Sequence, residues 1–167
     1  QTVGGNLTAT ATTGNIEDSG TGLTIAGTSS FTTSANNATI TLNDTGNSFA
    51  GAVSLNTTGS TGHATIDNGT TALNVGTSSV GGNLTLTSGH ASGITDSGTV
   101  TVGGNLLATT DANSGVINLG TLAVDGTVAL TTNGTGNATV VDASGLNLAA
   151  STVGGNLTAT ATTGSIS

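Results

Sequence analysis

The residues that could do chemistry are few, and those that carry charge are all acidic. The 167-residue chain has eight Asp and Glu residues, two His, and no Lys, Arg or Cys, for a formal net charge of −8. Five aspartates recur in one setting, after a short apolar run and before a small-residue turn: Asp18 in IEDSG, Asp44 in LNDTG, Asp67 in IDNG, Asp96 in ITDSG and Asp142 in VVDASG. If these positions stack in a repeating fold, their carboxylates lie about 4.8 Å apart and repel. Ca²⁺, which takes six to eight oxygen ligands, could bridge them. The competing reading is that each Asp caps its own turn through its backbone N–H groups. Asn118 stands in place of the acid in INLG (117–120), which favours capping. His63 in GHATID and His90 in GHASGITD are expected at like positions of adjacent units, either as stacked transition-metal ligands or as exposed loop residues.

Neutral polar residues recur more strictly. Val-Gly-Gly-Asn-Leu occurs at 3–7, 80–84, 102–106 and 153–157, with looser versions at 124–128 and 49–53. A tight bend there would need positive φ, which Gly supplies and Asn tolerates. Asn6, Asn83, Asn105 and Asn156 are expected to stack as an amide ladder. The following strands present Thr8/Thr10, Thr85/Thr87 and Thr158/Thr160 as outward T-x-T pairs. Such pairs in a regular array would suit an ice plane, but Leu107/Thr109, Ala129/Thr131 and Ser54/Asn56 interrupt them. Asn-x-Thr sequons occur at Asn6, Asn37, Asn43 and Asn137, among others, as this composition gives by chance.

Catalysis is not expected. A polysaccharide-cleaving groove needs a base or convergent carboxylates, and neither His has a recognisable nucleophile beside it. Without Lys or Arg, nucleic acid and anionic membranes are poor partners. No cofactor is implied, Ca²⁺ being the one candidate. No segment has the apolar length of a transmembrane helix, and residue 1 does not open a signal peptide, so export signals would lie outside this sequence.

The elements that position these residues are short strands. In NLTATAT (6–12), Leu7, Ala9 and Ala11 face one way and Thr8, Thr10 and Thr12 the other, a period of two. Thr and Val favour extended backbone, and the density of Gly, Ser, Thr and Asn disfavours helix. Val80–Thr101 reads as one unit: a strand at Leu84, a short strand at Ile94-Thr-Asp96, and a third at Val100-Thr-Val102. Leu84, Leu86, Ile94, Val100 and Val102 point inward. Their equivalents one turn later are Leu106, Ala108, Val116 or Ile117, Leu122 and Val124. Three strands per unit of about 22 residues, with some spacings near 30, predict an all-β parallel β-helix of about six to seven coils and no helices. The longer unit Ala50–Ser79 would hold its extra residues in loops such as GTTALNVGTSS. The chain is one continuous solenoid over 1–167, and a longer period of about 150 residues is laid over it: TVGGNLTATATTGNI (2–16) returns as TVGGNLTATATTGSI (152–166), one residue changed. Six coils would fill that period, about 29 Å.

The repeated VGGNLT coils with their Thr, Asn and Gly bias resemble the filamentous-haemagglutinin-like exoproteins and related giant bacterial surface adhesins. That resemblance implies a right-handed β-helix rod, secretion to the bacterial cell surface, and a part in adhesion or biofilm. The expected function is therefore a structural segment of a secreted extracellular fibre or adhesin, joined end to end, and perhaps laterally, to further copies of its own repeat. The alternatives are an ice- or glycan-binding solenoid and a trimeric phage fibre stalk.

Overall fold

A computed structural model describes residues 1–167, the side chain of Asn113 apart. It is a β-solenoid of about seven turns, with no helix among the described residues. Every strand pairing is parallel. The strands form a three-stranded, a ten-stranded and a seven-stranded sheet wrapped round one core. One interior column of the seven-stranded sheet runs Ile16, Ile40, Ala64, Leu84, Leu106, Val128, Leu148, each residue registered on the last. Successive members are 20 to 24 residues apart, which is the coil length on that face.

Alternation decides which side chains enter the core. In Leu84–Ser88 the residues are buried and half-buried in turn. The inward set expected from sequence is fully buried and stacks as expected: Leu84 on Leu106, Leu86 on Ala108, Ile94 on Ile117, Val100 on Leu122 and Val102 on Val124. Ile117, not Val116, takes the interior position. The two benzene rings, Phe31 and Phe49, meet edge to face inside, with centroids 5.8 Å apart. A single coil is too thin to bury this surface, so each coil depends on its neighbours for both core and backbone hydrogen bonds.

The spacings near 30 are not long coils. The stretch expected as a loop in Ala50–Ser79 forms two strands, Leu73–Val75 and Ser78–Val80. What changes is the face on which the motif falls. Leu84 and Leu106 open strands of the seven-stranded sheet, whereas Leu7 and Leu157 open strands of the ten-stranded sheet. The recurrence at 152 is nonetheless almost in step with the coils. Leu7 stacks on Ser29, Val53 and Val75 in three steps. Leu73, two residues before Val75, stacks on Ile94, Ile117, Ala138 and Leu157 in four. The 150-residue period thus spans seven coil steps rather than six, about 34 Å, and Leu157 lands two residues short of Leu7's column. A shift of two keeps each side chain on its original side of the sheet.

Candidate functional site: the axial ladder and the coil edges

The Gly-Asn corners work by close approach. None of Gly4, Gly5, Gly81, Gly82, Gly103, Gly104, Gly154 and Gly155 has positive φ, which corrects the expected left-handed bend. Positive φ falls elsewhere, at glycines such as Gly59 and Gly134 and at Asn37 and Ser114. At the corners, Asn83 Oδ1 accepts the Asn105 N–H of the next coil at 2.9 Å, and Asn105 Oδ1 accepts the Thr127 N–H at 2.9 Å. A Cβ on Gly104 would strike Asn83 Oδ1, and one on Gly126 would strike Asn105 Oδ1. The glycine is the gap through which one coil's amide reaches the next coil's backbone.

The same device recurs at other corners. Asn6 Oδ1 accepts the Thr28 N–H at 2.9 Å over Gly27, and Asn137 Oδ1 accepts the Asn156 N–H at 2.8 Å over Gly155. His63 takes the asparagine role: its Nδ1 accepts the Asn83 N–H at 2.8 Å over Gly82. His63, Asn83 and Asn105 therefore form one continuous run, while Asn6 and Asn156 sit at corners of the other sheet. The parts of Asn137 and His63 were not foreseen from sequence. Their signal was a glycine immediately before them, at Gly136 and Gly62, and an apolar strand immediately after.

The five aspartates occupy different columns. Asp67 is registered on Thr87, and Asp142 on Leu122 and Ala161. Each binds backbone N–H groups. Asp18 accepts those of Asn43 and Asp44 at 3.2 and 3.3 Å and the Asn47 amide at 2.6 Å. Asp44 and Asp67 cap their own turns through Gly46 and Gly69, each at 2.8 Å. Asp96 clamps the next coil through the N–H groups of Gly120 and Thr121, at 2.9 and 2.7 Å. Asp142, fully buried, accepts the Val124 N–H at 3.1 Å and the Ser144 N–H at 2.9 Å. No group of three or more His, Asp or Glu side chains converges as metal ligands do among the described residues. Asp67 is pushed above the ordinary carboxylate range chiefly by burial. The Gly69 N–H opposes that shift, and the fields of Asp111, Asp18 and Asp44 add to it.

The histidines do not stack. His63 precedes the strand Ala64–Asp67, and His90 follows Leu84–Ser88, at the other end of the same face. His90 is exposed, and its Nδ1 accepts the Ser92 N–H at 3.0 Å. The T-x-T pairs are divided between sheets: Thr8/Thr10 and Thr158/Thr160 on the ten-stranded, Thr85/Thr87 on the seven-stranded. Thr8 is registered on Ser30 and Ser54, and Thr85 on Thr65 and Leu107, so neither column is uninterrupted threonine.

Buried hydroxyls close several corners. Thr33, Thr57, Thr110 and Thr132 donate to the carbonyls of Ala38, Gly62, Gly115 and Gly136 respectively. Thr57 and Thr132 also accept the N–H of Gly81 and Gly154 in the following coil. Each places a β-branched side chain in the core and spends its one polar atom on the turn.

Parallel stacking, an interior ladder and paired corners define a structural β-solenoid built from repeats. The chain belongs to the family described as repeats of unknown function (DUF5649), which matches residues 1–56, 61–114 and 135–167. No curated protein and no solved structure matches it.

Proposed function

We propose that this chain is a structural segment of a secreted extracellular fibre or cell-surface adhesin, on a bacterial surface, acting as a rod that spaces or displays other parts. The carrying observation is the unbroken axial continuity of core and ladder: every interior column passes from coil to coil without a gap. Tension along the axis is shared by three sheets of hydrogen bonds, so the molecule resists extension as a unit. The role is mechanical and non-catalytic, and it uses no cofactor. Immunogold labelling of intact cells that produce the protein tests the reading. Label on extended surface structures is expected; label that appears only after permeabilisation overturns it.

A further inference from the structure

The two end coils carry the same fifteen-residue segment, each with one edge engaged and the opposite edge free. In the first copy, Leu7–Ala11 pairs with Ser29–Asn36, and Asn6 Oδ1 holds the Thr28 N–H. In the second, Leu157–Ala161 pairs with Ala138–Asp142, and the Asn156 N–H is held by Asn137 over Gly155. One sequence is thus seen binding a parallel strand on either edge. The free edges are the complementary halves. Asn156 Oδ1 receives no N–H among the described residues, and the Asn6 N–H finds no acceptor. A Cβ on Gly4 or Gly5 would meet nothing within 4 Å.

We infer that two copies of this chain join head to tail, the Leu157–Ala161 edge of one receiving the Leu7–Ala11 edge of the other, Leu157 on Leu7. In that register Asn156 accepts the Asn6 N–H over Gly5, repeating the corner rule. Leu157 and Ile166, 43% and 50% exposed, are covered by Leu7 and Ile16. Neither end segment, 1–16 or 152–167, has an ionisable side chain in a chain of net charge −8, so repulsion is least where the ends meet. Neither strand carries the Lys, Pro or bulge that blunts an exposed edge. The inference deepens the rod reading and rests on it.

The test uses the 167-residue chain, its mass followed by sedimentation as concentration rises and its shape by small-angle scattering. Mass at least doubling, with the longest dimension growing in proportion, is expected. Gly5→Val, whose side chain enters open space in the monomer, should hold the protein at one chain mass without changing its melting temperature. The chain has no native cysteine. Register partners lie about 4.8 Å apart, within disulfide reach. Thr8→Cys mixed with Thr158→Cys should therefore cross-link on oxidation, and Thr8→Cys mixed with Thr160→Cys should not. A chain that stays monomeric, association unchanged by Gly5→Val, or cross-linking through Thr160 would each overturn the inference. An elongated monomer overturns it while leaving the rod reading intact; a compact monomer removes both.

Discussion

At the scale of the residue, the molecule uses polar side chains to hold backbone. Asn83, Asn105, His63 and Asp96 each reach into the following coil for an N–H that the sheets leave unpaired at a corner. Asp67 is the residue for which this arrangement has a cost visible in pH. Burial first, and then neighbouring carboxylates, raise its pKa above the ordinary 3.8. The folded state therefore holds that proton more tightly than the unfolded state does. Its contribution is fully present below the unfolded value and is lost as pH rises through the raised folded value. Asp67→Asn, which keeps an oxygen for the Gly69 N–H, should melt higher than the parent at pH 7 and close to it at pH 3. Parallel thermal melts at the two pH values check this.

At the scale of the element, the unit of construction is a strand plus the corner that precedes it. The Gly-Asn corner was visible in the sequence as a recurrence, but its physical reason was misjudged. A left-handed bend lies within one coil, whereas the true constraint lies between coils, where a sequence read along the chain cannot see it. The pair Asn83 and Gly104 separates the two accounts. Asn83→Ala removes one hydrogen bond, about 1 kcal/mol. Gly104→Ala drives a methyl into Asn83 Oδ1 and the backbone of Gly82, at about 1–3 kcal/mol. In the double variant part of the clash is gone, so the combined loss in urea unfolding should fall short of the sum. Strict additivity would show that the two residues act independently.

At the scale of the whole molecule, charge is one-signed. Eight acids have no Lys or Arg to answer them, so every long-range side-chain interaction between ionised groups is repulsive at neutral pH. Salt screens exposed charges over about 10 Å at 0.1 M. The melting temperature should therefore rise from low salt to 0.5 M NaCl, the reverse of a fold held by surface ion pairs, and calorimetry across that range measures it. The same repulsion opposes side-by-side packing of rods more than end-to-end joining, because the acids lie on the flanks between the uncharged end segments.

The sequence by itself determined the class of fold and its interior. Strict alternation in runs such as Leu84–Ser88 fixes which side chains turn inward, because successive residues of a strand point to opposite faces. Repetition every 22 residues or so fixes that the next coil supplies their neighbours, which is why the pairings of Leu84 with Leu106 and Ile94 with Ile117 could be read directly. Only the tertiary structure decided which face each motif occupies, that GTTALNVGTSS is strand, and that His63 serves a ladder otherwise made of asparagine. Those choices depend on where the corners fall round the coil. A corner is set by whether a glycine lies beneath a neighbouring coil's side chain, a relation between residues about 20 positions apart, whereas local propensity reports only on adjacent ones.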